Sequence, residues 1–507
     1  MADAPLKIVV LDDDPTGSQT VHSCPLLLRW DAGTLRAALA HPAPLLFLLA
    51  NTRALDPEAA RQRVRQLCRC LRPLLEEAVA AGRIGAWLIV SRGDSTLRSH
   101  FPLEVEVIAA ELGPFDATVL APAFLPGGRT TVDGVHLLHG EPVHRTAFAR
   151  DGLFGYGTSD LPAWVEEKSA GRIRADQVER IGWRELEAAA GAEAAAGSAD
   201  EGHAEDGAGH GGDQALLRKL AAFQGNPVVV VDAERPQHLL ALGAALRQLT
   251  APAAAERWGR PRRFLFQSAA SLLNGLAELP PPPLDAGGLA ALRRCDRAGT
   301  PLPGLVLVGS HVPLADAQLE RLLADPACAG VEVEVRRLAR VLEGPLPAPL
   351  LASLEQDWRQ ALRRILTSGR TPVLFSSRGE LLCRSATERR AFGLALAALM
   401  ARLAASLAPD LGYLISKGGI TTHTLLADGL DLAAVDLRGQ LLPGLSLVQP
   451  AGACGPLAGL PLLTFPGNLG DADTLHLSWL WMEGRAAPAH GALGNRWMDP
   501  GAPRRRG

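Results

Sequence analysis

Several short stretches set polar, chemistry-bearing side chains directly after apolar runs. LDDDPTGSQT, residues 11–20, places Asp12, Asp13 and Asp14 behind the run Leu6–Val10 and turns at once through Pro15, Thr16 and Gly17. Three adjacent carboxylates repel one another, so folding alone does not favour them. Carboxylates aimed into a crevice hold hydroxyl groups, and a strand end followed by a glycine turn is where open α/β sheets build ligand sites. A solvated turn with an Asp helix cap has the same composition, and this stretch by itself does not choose between the two. SRGDSTLRSH, residues 91–100, adds Arg92, Asp94, Ser95, Thr96 and Arg98 at another strand end, and GGRTTVDG adds Arg129 in a loop. Carboxylates and hydroxyls bind OH groups while a guanidinium forks onto a carboxylate, which is what a small polyhydroxylated acid requires. The alternative for SRGDST is a helix-capping turn with a surface ion pair.

A second set lies further on. In LISKGGITTHTLL, residues 414–426, a strand ends at Ser416 and a helix is expected from near Thr421 or Thr422. Gly418 and Gly419 permit close backbone approach, the amides at the helix start favour an anion, and Lys417 adds positive charge beside them. No G-x-x-x-x-G-K-[ST] loop is present. Phosphate binding and an ordinary strand–turn–helix corner both fit. LVGSHVPLADAQLE repeats the pattern with Gly309, Ser310 and a Pro313 suited to a first helical turn. TFPGNLGDADTLHL repeats it again with Gly467, Asn468, Gly470 and Asp471. Three such strand ends in one half of the chain point to a nucleotide laid across the ends of a sheet.

The elements that must position these residues follow from periodicity. Apolar runs such as LKIVVLD, PLLFLLANT, AWLIVSRGD, ATVLAPA, PVVVVDAE and RFLFQS alternate with long Ala/Leu/Arg-rich amphipathic stretches. That alternation is the pattern of βαβ units around a mainly parallel sheet. Polar residues recur at the strand ends, Asn51, Thr52 and Arg53 among them. The pattern restarts after LPPPPLDAGG, residues 279–288, with GLVLVGSHV, VEVEVRRL, PVLFSSRGE and the later runs. The expected organisation is α/β: an N-terminal domain over 1–278, a proline-rich linker over 279–288, a C-terminal domain over 289–485 and a flexible tail over 486–507. Each domain carries a mainly parallel sheet flanked by helices, with the active site expected in the interdomain cleft. The acidic, Gly/Ala-rich stretch 187–213 is expected to be a disordered insertion.

Composition narrows the classes. The 507 residues are 47% hydrophobic and 21% charged with a net charge of -3, which suits a globular protein and argues against a nucleic-acid surface. No run of about 18 apolar residues spans a membrane and no signal peptide precedes the first strand, so a cytoplasmic location is expected. The seven cysteines are scattered, and the close pair Cys68 and Cys70 suits neither zinc nor redox spacing. His22, His136, His139 and His144 match no metal-ligand motif, and no metal ligand set is assigned. Only Lys7, Lys168, Lys219 and Lys417 stand among 51 basic residues, which marks each as a candidate for work arginine does not do.

DDDPTGSQTVH, the DSTLR of residues 94–98, the run PAFLPGGRTTVDGVHLLHGEPVHRTAFARD, and the later KGGITT and FPGNLGD resemble, in order, the four-carbon acid sugar kinases. The resemblance covers about residues 6–485. It implies an N-terminal domain that binds a sugar acid such as threonate, erythronate or 3-oxo-tetronate and a C-terminal domain that binds ATP with Mg²⁺. The family's Asp-Asp-x-Thr-Gly falls on Asp13, Asp14, Thr16 and Gly17, and its Asp-Ser-Thr-Leu-Arg on Asp94, Ser95, Thr96, Leu97 and Arg98. The nucleotide positions fall on Gly309, Ser310, Gly418, Gly419, Ile420, Thr421 and Gly467, beside Lys417 and Asn468. On this reading Asp13 and Asp14 bind substrate hydroxyls, one of them accepting the proton, while Arg92, Arg98 and Arg129 hold the acid's carboxylate and Lys417 neutralises phosphates. Asp471 is a second candidate for the base or for magnesium. The chain departs from the family at Arg92 (usually Lys), at Ser99 and His100 (usually Gly-Asn), at Ser18 (usually Ala) and at Ile420, where a carboxylate that would help hold magnesium is missing. The expected partner is a small-molecule acid, with room for a homodimer and with neither nucleic acid nor membrane. Two rivals stand beside the kinase: a sensor that binds acid and nucleotide without turnover, and a nicotinamide-dependent oxidoreductase, for which the G-x-G-x-x-G after a strand is missing.

Overall fold

The computed structural model describes residues 4–14, 17, 20–197, 210–344, 346–378, 385–452 and 455–485. These pack as two compact units, one running to Pro281 and taking in Ala433–Leu437, the other comprising Pro282–Leu432 and the chain from Arg438 onward. The break between Pro281 and Pro282 falls in a run of prolines, which lack the amide donors that a helix or sheet interior needs.

In the first unit the strands are β1 (Leu6–Asp12), β2 (Cys24–Leu27), β3 (Leu45–Leu49), β4 (Ala86–Arg92), β5 (Ala117–Ala121), β6 (Arg129–Val132), β7 (Val135–Leu138), β8 (Glu141–Pro142), β9 (Glu179–Ile181), β10 (Val228–Val231) and β11 (Phe264–Ser268). A parallel sheet runs in the order β2-β3-β1-β4-β11-β5-β10-β9, and β6, β7 and β8 form a separate antiparallel ladder. LLFLL of β3 and VVVV of β10 are wholly buried, as strands covered by helices on both faces must be. The helix Pro57–Ala80 is representative of the cover. Asp56 caps it by accepting from the Ala59 amide at 2.9 Å, Pro57 occupies the first turn, and Ala60, Val64, Leu67, Leu71, Leu74 and Ala78 form its buried stripe. Cys68 lies in that stripe as a free thiol.

The chain leaves β1 toward β2 and β3 on one side and returns to β4 on the other. The order therefore reverses between β1 and β4, and a reversal of this kind opens a crevice at the carboxyl ends of the strands.

The second unit carries β12 (Gly304–Val308), β13 (Cys328–Val333), β14 (Thr371–Ser376), β15 (Tyr413–Lys417), β16 (Ala434–Leu442), β17 (Leu445–Pro450) and β18 (Leu462–Phe465). Its order is β13-β14-β12-β15-β18-β17, with β13, β14, β12, β15 and β18 parallel and β17 antiparallel to β18. Here the reversal falls between β12 and β15. The opening residues of β16, Ala434–Leu437, pair antiparallel with β2 and so belong to the first unit.

Two expectations change. Residues 187–197 and 210–213 are helical, within Trp183–Gly197 and His210–Ala222, so disorder over 187–213 does not hold at its ends. Alanine is the strongest helix former, and Glu187 is anchored by His238 at 2.7 Å and Arg235 at 3.1 Å. Residues 198–209, with His203, lie outside the described residues, as does the tail 486–507. The helix after Lys417 begins at Gly419, ahead of the expected Thr421. Among the described residues no helix is long and apolar enough to cross a membrane.

Candidate active site

At the reversal in the first unit, Asp12 of β1 stands in register with Arg92 of β4, and Arg92 with Ser268 of β11. The three side chains share a face of the sheet because parallel partners point the same way. Asp12 accepts from Arg92 Nη1 at 3.5 Å and Asp13 from the same nitrogen at 3.3 Å. Arg53, four residues beyond the end of the adjacent β3, forks onto Asp13 through Nε at 2.9 Å and Nη2 at 2.6 Å, and reaches Asp14 through Nη1 at 3.4 Å. The three carboxylates are thus tolerated side by side because two guanidiniums are interleaved with them. Gly17 lies against this cluster, where a Cβ would collide with Asp12 Oδ1 and Arg92 Nη1. Burial pushes the Asp12 carboxyl up to about 7 even with Arg92 beside it, and raises Asp13 against the pull of Arg53 and Arg92. Asp12 Oδ2, Arg92 Nε and Ser268 Oγ are buried without a hydrogen-bond partner among the described residues.

The DSTLR turn stands next to this cluster. Asp94 accepts from Thr96 Oγ1 and from Arg98 Nε at 2.8 Å, and Arg98 also stacks 4.8 Å from the Phe148 ring. Burial alone would raise the Asp94 carboxyl, but Arg53 and Arg98 together hold it well below the usual carboxylate range. The turn is fixed from outside: Tyr156 donates to the Thr96 carbonyl at 2.7 Å and His136 Nε2 to the Ser95 carbonyl at 2.8 Å. Burial lowers His136 to about 4, so at neutral pH it serves as an uncharged strut. Leu97 takes a φ of 65°, a left-handed conformation held by these bonds. Arg129 opens β6, donates to its own Gly127 carbonyl at 2.7 Å and lies 5.8 Å from the Phe124 ring. It has no ion pair with a carboxylate among the described residues, its Nε is buried without a partner, and it sits within the field of Asp94 and Arg98. Thr16 lies outside the described residues.

The strand ends of the second unit also converge. The Gly309 amide donates to the Lys417 carbonyl at 3.0 Å and the Gly418 amide to the Phe465 carbonyl at 2.9 Å, which lines up three turns at the reversal. A Cβ at Gly309 would collide with Thr421 Oγ1, and one at Gly467 would lie 2.6 Å from Ser310 Oγ. Gly418 has a φ of 116°, open to glycine but strained for other residues. Gly309, Ser310, Gly418, Thr421 and Gly467 therefore meet, while Gly419 starts the helix and Ile420 is exposed beside it. Asn468 follows Gly467 on the same turn.

Two candidate side chains of this unit have partners within it. Lys417 is fully buried, its Nζ donating to the Pro466 carbonyl at 3.0 Å and lying 4.0 Å from the Phe465 ring centre. Burial lowers it to about 7, and the ammonium supports the Pro466–Gly467 turn from beneath instead of standing open to a phosphate. Asp471 lies just ahead of the helix Thr474–Met482, its Oδ1 accepting from Thr474 Oγ1 at 2.7 Å and from the Asp473 amide at 3.1 Å. Ile420 stands in place of a carboxylate, while Asp471 commits its Oδ1 to bonds within its own turn. No group of three His, Cys, Asp or Glu suited to a metal occurs among the described residues.

Asp12 and Arg53 were not singled out as site residues from the sequence. Asp12 reads as the last residue of a strand, and Arg53 as one of several polar residues after another; only the adjacency of β1 and β3 brings the guanidinium onto Asp13.

The sequence matches a sugar-binding N-terminal domain over residues 8–276 and a nucleotide-binding C-terminal domain over residues 305–475. It is 27% identical over 435 residues, 82% of this chain and 87% of the relative, to D-threonate kinase of Cupriavidus necator. A D-erythronate kinase of Heliobacterium modesticaldum is 31% identical over 153 residues, 29% of this chain and 32% of its own. The fold is similar to the crystal structure of a Salmonella typhimurium LT2 protein, with a TM-score of 0.61 and 18% identity over 93% of this chain and 98% of the other. A Haemophilus influenzae protein matches with a TM-score of 0.54 and 14% identity over 94% and 99% of the two chains. The paired domain matches, with the strand-end turns each domain carries, place this chain in the four-carbon acid sugar kinase family.

Proposed function

We propose that the protein transfers the γ-phosphoryl group of ATP to a hydroxyl of a four-carbon sugar acid of the threonate, erythronate or 3-oxo-tetronate type. The observation that carries this is Arg129, a half-buried guanidinium with a shielded, unpartnered Nε and no carboxylate partner among the described residues, set in a cluster where Arg53, Arg92 and Arg98 each already hold one. A site whose other cations are internally matched and whose remaining one lacks an acid is built for an anionic ligand that also carries hydroxyls. Arg129 takes the carboxylate, with Arg92 and Arg98 holding the pocket's shape through Asp13 and Asp94. Ser95, Thr96, Asp13 and Asp14 orient the hydroxyls. Asp14, the least enclosed of the three aspartates, accepts the proton as the hydroxyl oxygen bonds to the γ-phosphorus and the bond to the bridging oxygen of ADP breaks.

Gly309, Ser310, Gly418, Gly419, Thr421 and Gly467 bring backbone amides to the nucleotide, with Ile420 and Asn468 at the margin and Lys417 fixing the turn. Magnesium would come with ATP, its oxygen ligands supplied mainly by phosphates and water, with Asp471 Oδ2 the carboxylate oxygen of this turn left to meet it.

The test is ADP release by the purified protein on Mg²⁺-ATP with a panel of four-carbon acids. Turnover on one acid is expected. Asp14→Asn should lower kcat roughly 10²- to 10⁴-fold with ATP affinity unchanged. Arg129→Ala should raise KM for the acid about 10- to 100-fold and leave KM for ATP alone. ATP binding without turnover on any acid would overturn the reading in favour of a sensor.

A further inference from the structure

Arg378 lies two residues beyond the end of β14, beside β12 in the sheet and so next to the Gly309–Ser310 turn. Its Nη1 donates to the Ser310 carbonyl at 2.6 Å and pairs with Asp316 Oδ1 at 2.9 Å, tying that turn to the first turn of the helix Pro313–Leu323. The other edge of the guanidinium is unused: Nε and Nη2 are shielded from solvent and have no hydrogen-bond partner among the described residues. Nε and Nη2 form the side-on fork of arginine, the edge with which Arg53 grips Asp13 and Arg174 grips Asp176 in this same molecule. Desolvated donors without an acceptor are disfavoured, and a planar fork matches the paired oxygens of a phosphoryl group.

We infer that Arg378 is a phosphate-binding residue for the nucleotide, its free fork receiving a phosphoryl oxygen pair while its occupied nitrogen holds the Ser310 turn. The inference rests on the nucleotide reading above and deepens it. It also answers the placement of Lys417: the cation that meets phosphate at this turn is an arginine from the neighbouring strand end, and the buried lysine supports the backbone. Reach is given by position, because Arg378 emerges at the carboxyl end of a parallel strand, where such sheets bind ligands, and its side chain is about a quarter exposed.

The experiment is an affinity ladder of adenosine, AMP, ADP and ATP on the full chain by calorimetry, for wild type, Arg378→Ala and Arg378→Lys. Wild type should gain affinity in a step when a particular phosphate is added. Arg378→Ala should lose that step by 10-fold or more with adenosine affinity unchanged, and Arg378→Lys, which keeps a charge but no fork, should recover only part of it. Ladders parallel to wild type, or a loss equal for adenosine and ATP, would overturn the inference and leave Arg378 a structural clamp. If alanine unfolds the unit, the lysine variant reports alone, and a full wild-type step in it counts against the fork. Wild type without affinity for any of the four would instead overturn the nucleotide reading itself.

Discussion

Lys417 carries a pH signature that separates its structural role from a phosphate contact. Its pKa is lowered from the ordinary lysine value of 10.5 to about 7 by burial, so between those limits the unfolded chain binds a proton that the folded chain has lost. Stability linked to this residue therefore rises as pH increases from about 7 to about 10, and the full cost of burying the ammonium is felt below 7. Lys7, lowered to about 8 by burial, contributes in the same direction, so the residue is isolated by difference. Urea unfolding of wild type and Lys417→Met across pH 6.5–10 should show the wild-type slope flattened in the variant. Equal slopes would mean that the ammonium keeps its ordinary pKa, as an exposed phosphate ligand would. The sequence marked Lys417 as unusual through the scarcity of lysine, but burial was hidden, because KGG reads the same whether the side chain points to solvent or beneath the Pro466 turn. Asp471 is ambiguous for a related reason: the D-x-x-T spacing in which its carboxylate accepts from the Thr474 hydroxyl is also what a catalytic carboxylate before a helix looks like.

At the level of elements, what the sequence disclosed was the ends of strands, and what it withheld was which strands are neighbours. An apolar run followed by Gly and polar residues announces a strand end wherever it occurs, so LKIVVLDDD, LIVSRGD, LVGS, LISKGG and LTFPG could each be placed. Sheet order depends on long-range pairing. Hence Asp13, Asp94 and Arg129 were nominated, while the Arg53 fork and the Asp12–Arg92 register had to await β3-β1-β4. Neighbouring strand ends also explain the glycines, whose task is close approach between turns. Gly309→Ala would drive a Cβ into Thr421 Oγ1 of the adjoining turn, so the turns must part. The expected outcome is a loss of ATP affinity of 10-fold or more, with affinity for the acid unchanged because that site belongs to the other unit. The paired control is Gly309→Ala with Thr421→Ala, which removes the colliding oxygen and should restore part of the nucleotide affinity. Calorimetric titration of each variant with ATP and with the acid reads both, and a variant that binds ATP as wild type does would show that the two turns can separate without cost.

For the molecule as a whole, a contiguous stretch of sequence does not complete the first unit. Ala434–Leu437 arrive from more than 150 residues downstream of Pro281 and pair antiparallel with Cys24–Leu27, with the Ser23 amide donating to the Leu437 carbonyl at 2.6 Å and the Leu28 amide to the Ala433 carbonyl at 2.9 Å. Val435 and Leu437 are buried there, so the segment adds apolar contacts as well as ladder bonds. A fragment ending at Pro281 would leave β2 as an open, wholly apolar edge, the sequence Cys24–Leu27 being buried throughout in the complete chain. Bare edges of that kind invite pairing with other chains. The four cross-strand pairs are together worth about 2 kcal/mol, which for a unit of this size corresponds to about 6 °C in melting temperature. The fragment to Pro281 should accordingly melt lower and self-associate, and the same fragment carrying Ala433–Leu437 on a flexible Gly/Ser linker should regain the difference and remain monodisperse by light scattering. Because the Asp12–Arg53–Arg92 cluster sits two strands in from that edge, the closed fragment should also bind the sugar acid as the full chain does, whereas equal melting of the two fragments would mean that β2 is closed without the returning strand.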